Sequence, residues 1–118
     1  MKPDPARAAE FLRHILEATS RISAYTAGMS AAEFAKNPLV QDAVIRNIEI
    51  MGEAAKNIEV VDPGFIAKYP VLPLRDIYLM RNRLAHGYFS VDISLVWNAV
   101  TAEIPALRAQ IEAILNHP

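Results

Sequence analysis

A chain of 118 residues is long enough for one hydrophobic core and too short to divide readily into two. Apolar residues make up 53%, and 12 Lys and Arg stand against 13 Asp and Glu. This balance excludes a disordered tail or a uniformly basic nucleic-acid coat, so any contact with RNA or DNA must be local. Cysteine is absent, which excludes disulfides and thiolate metal sites and suits a reducing compartment. Asp4, Arg7, Glu10 and Arg13 break up the apolar part of the N-terminal segment, so it does not read as a signal peptide. No window approaches the roughly 20 apolar residues of a membrane span. The expectation is a single cytoplasmic domain over residues 1–118, away from membranes.

Asp4 followed by Pro5 has the form of an N-cap with proline at the first helical position, and Gly28 is a stop signal, so residues 5 to 27 predict a long first helix. Its Leu12, Ile15, Leu16, Thr19, Ile22 and Tyr25 recur at three- and four-residue steps, a face built to pack. Ser30 and Glu33 have the spacing of a capping box; the short turn they open is interrupted and restarted by Asn37 and Pro38. From Pro38 to about Ile58 runs a second long helix with Val44, Ile48, Met51, Ala55 and Ile58 as its apolar stripe. Asp62, Pro63 and Gly64 form a turn before a short helical piece carrying Phe65, Ile66 and Tyr69, which Pro70 ends.

Pro73 can start the next helix, with Leu74, Ile77, Tyr78, Met80 and Leu84, stopping near Gly87. Asp92 or Ser90 then caps a final helix. There, Ile93, Trp97, Val100, Ile104, Leu107, Ile111 and Ile114 alternate steps of four and three, the spacing of a bundle seam, and Pro105 should kink the run. No alternating strand pattern appears. The chain therefore predicts an all-α antiparallel bundle of four to five main helices joined by short turns.

The chemistry-bearing residues concentrate in RNRLAHGYF, residues 81 to 89. Arg81 supplies a fixed cation, Asn82 an amide, His86 a titratable imidazole and Tyr88 a phenol. On an ideal helix Asn82 and His86 nearly stack, whereas Arg81 and His86 lie about 140° apart. A long arginine and a histidine at a helix end next to Gly87 could still converge on one ligand. An imidazole with an ordinary pKa of about 6.5 transfers protons near neutrality, and a guanidinium grips two phosphate oxygens at once. Together they suit metal-free RNA cleavage, in which a base takes the 2′-hydroxyl proton and a cation stabilises the anionic transition state. Asn82 would orient the imidazole or bind an RNA oxygen. Arg75 and Arg83 could help hold a phosphate backbone, or simply be solvated. On spacing alone the structural reading outweighs the catalytic one: histidine before glycine commonly meets terminal carbonyls, and Tyr88 would be a partly buried aromatic.

The wider context carries more information. RNIEIMGEAAKNI (Arg46 to Ile58), the proline-containing loop and MRNRLAHGYFSVDISLVW (Met80 to Trp97), followed by Ile104 and Pro105, resemble the HepT-like branch of the HEPN superfamily. Its members are small all-helical toxins encoded beside a minimal nucleotidyltransferase antitoxin. The family signature of arginine and histidine a few residues apart, extended by tyrosine, falls on Arg81, His86 and Tyr88. The resemblance implies the toxin of a type VII-like toxin–antitoxin system, an endoribonuclease that needs no metal or cofactor and acts on transfer or messenger RNA. In it His86 is acid or base, Arg81 binds phosphate and transition state, and Asn82 supports them. It also implies a homodimer whose two motifs line one cleft, and a partner nucleotidyltransferase that silences the toxin by moving AMP from ATP to Tyr88. One departure is Leu74, where many relatives have tryptophan after the proline.

Glu53 reads either as a solvated helix residue or, given the glycine and alanines around it, as a buttress for the arginine. His14 and His117 read as surface residues, and Trp97 as core or dimer interface. Two other functions remain open. One is a non-catalytic nucleotide- or substrate-binding partner of a nucleotidyltransferase. The other is a plain helical interaction module.

Overall fold

The computed structural model describes residues 2–86 and 92–116. Helix α1 spans Pro5–Thr26, α2 Ala31–Ala35, α3 Pro38–Val61, α4 Phe65–Lys68, α5 Leu74–His86, α6 Ile93–Asn98 and α7 Ile104–Asn116. A π-helical turn, Ala99–Glu103, joins the last two. No strand occurs among the described residues, so the all-α expectation holds.

Local side-chain caps set most of the helix starts. The Asp4 carboxylate accepts the Arg7 N–H ahead of α1. Ser30 and Glu33 make the reciprocal capping box of α2. Asn37 accepts from Val40 to open α3. Asp92, rather than Ser90, which lies outside the described residues, accepts from both Ser94 and Leu95 at the start of α6. Each cap gives a partner to a backbone donor that the helix itself cannot pair. After α1 the backbone reverses through Gly28 at φ +75°, a conformation that glycine adopts without steric cost.

The long helices α1 and α3 form the centre and α5 packs on α3. α1 and α3 run antiparallel, because the Asp4 N–H at the start of α1 donates to the Val61 carbonyl at the end of α3 at 2.8 Å. Val44, Ile48, Met51, Ala55 and Ile58 are all buried, as the stripe on α3 predicts, and Leu12, Ile15, Thr19 and Ile22 meet them from α1. Tyr25, 43% exposed, lies off the packed face of α1, which runs from Ile22 to the buried Thr26 in the last turn. α3 runs on past Ile58 to Val61, itself buried. Leu74 is buried at the start of α5, so the departure at that position is absorbed by the core.

The final helical run differs from a kinked α-helix. Pro105 has no N–H to bond back to Thr101, and the turn before it widens so that Ile104 N–H donates to the Ala99 carbonyl, five residues back. The Thr101 hydroxyl donates to the Trp97 carbonyl at 3.0 Å in the same turn. From the insertion onward the seam holds, with Val100, Ile104, Leu107 and Ile111 buried, but ahead of it the buried residues are Val96 and Ala99, and the expected Ile93 and Trp97 are only partly buried; the extra residue shifts the packed face by one position. Trp97 is partly buried and lies against the fully buried Phe34 of α2, ring centroids 5.0 Å apart, so within one chain it belongs to the edge of the core. Arg108 of α7 donates to Ser20 of α1 at 2.7 Å, closing the bundle on its other side.

Candidate functional site

Where α5 crosses α3, α3 offers a buried glycine, Gly52. A methyl group built there would overlap the Arg81 Cβ and stand 2.6 Å from its Cγ and 3.4 Å from its Cδ. Only the bare glycine backbone lets the aliphatic stem of Arg81 lie flat on α3. With the stem pinned, the guanidinium projects to the rim of the crossing. Its Nη1 donates to Asn82 Oδ1 at 3.0 Å and its Nη2 to Glu53 Oε2 at 3.5 Å.

The Arg81–Glu53 pair is well solvated, the two side chains being 33% and 54% exposed. Such a pair contributes about 0–1 kcal/mol. Its effect is therefore to orient the guanidinium more than to hold the helices together. The exposed remainder of Arg81 is available to an incoming anion, and a guanidinium can present two parallel N–H groups to phosphate oxygens. Asn82 spends its carbonyl oxygen on Arg81, which leaves its amide donors for a ligand oxygen.

His86 is the last residue of α5, five positions beyond Arg81 and so about 7.5 Å further along the axis. Only its backbone is described, and Tyr88 lies outside the described residues, as does His117. Arg75 and Arg83 are exposed on α5. Arg83, two residues past Arg81, lines a groove of about 570 Å³ between α5 and α6, while Arg81 opens on a separate cavity of about 330 Å³. Among the described residues no three His, Asp or Glu side chains are grouped to hold a metal ion, and no helix is long and apolar enough to cross a membrane.

The smaller cavity brings in residues that the sequence motif does not include. Phe11 and His14 border it from α1, and Arg46, Glu49 and Asn57 border it from α3. Their spacing carries the signal: positions 46, 49, 53 and 57 follow one helical face of α3, and 11 and 14 follow one face of α1. What the sequence does not state is that these two helix faces meet beside Arg81.

A helical bundle that orients the Arg81 guanidinium on a helix ending at His86 presents a cation suited to an anionic ligand. The model of the family described as Ribonuclease HepT-like matches residues 15–114, and the chain belongs to that family of HepT-like ribonucleases. It is 36% identical to the "Probable ribonuclease HepT" of Thermococcus cleftensis, over 89% of this chain and 93% of that one. It is 35% identical to a "Putative RNase" of Caldanaerobacter subterraneus, over 90% of this chain and 92% of the relative. A protein of Methanocaldococcus jannaschii named "Gamma-glutamylcyclotransferase and putative RNase" is 40% identical over 90% of this chain, which spans 46% of that longer protein. No solved structure matches the chain.

The Gly52–Arg81 contact is testable by stability alone. Gly52→Ala should destabilise the fold by about 1–3 kcal/mol through overpacking, read from urea unfolding. Adding Arg81→Gly, which removes the atoms that collide, should cost less than its effect in the native background. Simple additivity of the two changes would mean that the positions share no contact.

Proposed function

We propose that the protein is the toxin of a toxin–antitoxin pair, an endoribonuclease that cuts RNA without a metal ion and is silenced by AMP transfer to Tyr88. The observation that carries this reading is the preset Arg81: its stem lies on Gly52, its head is oriented by Asn82 and Glu53, and His86 follows at the end of the same helix. The names of the relatives, which include a ribonuclease HepT, agree with RNA as substrate.

In the proposed reaction an imidazole removes the proton of a ribose 2′-hydroxyl. The 2′-oxygen attacks the adjacent phosphorus, and the bond to the 5′-oxygen of the next nucleotide breaks as that oxygen takes up a proton. The products are a 2′,3′-cyclic phosphate and a 5′-hydroxyl. Arg81 neutralises the charge that builds on the non-bridging oxygens, where a fixed guanidinium acts most strongly. Asn82 supplies a neutral donor, and Glu53 keeps Arg81 from swinging away. His86 acts as base or acid, and one motif holds one imidazole.

A homodimer would place a second motif, with a second imidazole, opposite the first. Leu79 and Leu95 offer a second copy a seat on another face of α5 from the Arg81 cavity: they are 48% and 59% exposed on the two walls of the α5–α6 groove. That groove runs along the motif-bearing helix, and exposed leucines set among polar residues such as Asp76, Arg83 and Glu103 are what a second copy would cover.

The switch follows from charge. A partner nucleotidyltransferase would let the Tyr88 oxygen attack the α-phosphate of ATP, releasing pyrophosphate and leaving AMP on the phenol. The added phosphate would compete with RNA for the same cations.

Purified protein should cut single-stranded or transfer RNA in excess chelator and leave cyclic phosphate ends, while His86→Ala should lose at least a hundredfold in rate; a fully active variant would remove His86 from the reaction. Incubation with ATP and the nucleotidyltransferase encoded alongside should add AMP mass to the Tyr88 peptide, and modification confined to other residues would dispose of the switch. Light scattering should give a dimer that Leu79→Asp with Leu95→Asp converts to monomer; a dimer that survives both changes would place the interface elsewhere.

A further inference from the structure

The cavity beside Arg81 has more chemistry than phosphate binding requires. Arg81 stands at one side of it and the aromatic pair of α1 at another. Phe11 meets His14 with ring centroids 5.7 Å apart and planes at 83°, and the Arg7 guanidinium lies 5.7 Å from the Phe11 ring. An edge-on contact covers at most one face of either ring, so the exposed imidazole of His14 keeps a face open. Along α3, Asn57 offers an amide that forms no hydrogen bond among the described residues.

The charges balance. Arg81 is matched by Glu53 at 3.5 Å and Arg46 by Glu49 at 3.8 Å. A cleft with no net charge does not track a long phosphate chain, which calls for an uninterrupted basic groove. Its volume of about 330 Å³ is at the small end of ligand pockets and matches one nucleotide. A flat ring to stack on, carboxylates to accept from an exocyclic amine and an amide to do either are the groups by which single-stranded bases are read.

We infer that this cavity is a subsite for one nucleotide carrying an amine-bearing base, adenine, cytosine or guanine, with its phosphate toward Arg81 and its base on His14. Asn57 and the α3 carboxylates read the base edge. The inference deepens the ribonuclease reading, on which it rests for its substrate, and gives that reading a basis for preference at the nucleotide next to the cut.

The test uses the full chain and the four ribonucleoside 3′-monophosphates, none of which can be cleaved, with amide and imidazole NMR shifts as readout. Adenosine, cytidine and guanosine monophosphates should shift the Phe11, His14 and Asn57 signals. Uridine monophosphate should bind several-fold more weakly, and His14→Ala or Asn57→Ala should weaken the first three by roughly tenfold. Inorganic phosphate producing the same shifts with equal affinity, uridine monophosphate binding as well as the others, or unchanged affinity in both variants would each overturn the subsite. The outcome separates from that of the nuclease assay. A protein that cuts RNA yet shows no nucleotide shifts here keeps its activity and loses the subsite, whereas one that binds these nucleotides but leaves RNA intact loses the activity and keeps the site.

Discussion

The contact on which the site depends is the one between a helix backbone and the stem of an arginine. Arg81 is normally a long, freely rotating side chain, and confining it costs about 2 kcal/mol of rotamer entropy when every torsion is fixed. Because Gly52 has no side chain, α3 and α5 approach closely enough for the first carbons of Arg81 to be held by packing, and part of that cost is met during folding. The guanidinium then needs only weak, solvated partners to settle its direction. This division of labour explains how a pair as exposed as Arg81 and Glu53 can matter to geometry while adding little to stability.

The same crossing joins the core to the chemistry. α3 carries the stripe that packs on α1, Gly52 about a quarter turn away, and Glu53 on the far side of the helix. Any shift of α3 against α1 is therefore passed to Arg81. Close-packed interiors do not deform smoothly, so the guanidinium inherits the rigidity of the central helix pair. The ends of α5 differ in this respect: Leu74 and Ile77 are buried, and the helix then runs out to His86 at its terminus.

Much of the fold is legible in short patterns, because the interactions that set it are short. Asp4 with Pro5, Ser30 with Glu33, Asn37 with Pro38 and Asp92 each act over three or four residues, and each marks an observed helix start. The stripes of α1 and α3 follow from helical periodicity alone. Tyr25 shows the limit of that reasoning, since periodicity says which residues share a face and not how far a neighbour covers it. The π turn before Pro105 is a second case: the proline announces a lost hydrogen bond but not the way the backbone makes it good. At the site, the motif around Arg81 is visible in sequence, as is Glu53 as a partner to consider. The approach of Phe11 and His14 is not, because it depends on the crossing of two helices some 30 to 70 residues from the motif.

The π turn of Ala99–Glu103 also has a bearing on chain length. A wide turn holds one residue more than regular α-helical bonding requires, so this stretch works as a spacer between two phases of one helix. Its five residues carry the chain round about as far as four do in a regular α-helix, so the segment before it keeps its phase, and taking a residue out would put Pro105 into a regular turn, where its ring meets a carbonyl and it has no N–H to bond back. The length of this turn is thus held by Pro105, and the seat of Trp97 on Phe34 and the Asp92 cap depend on the phase that the turn preserves. Single-residue insertions and deletions that a surface loop would accept should be poorly tolerated in this stretch.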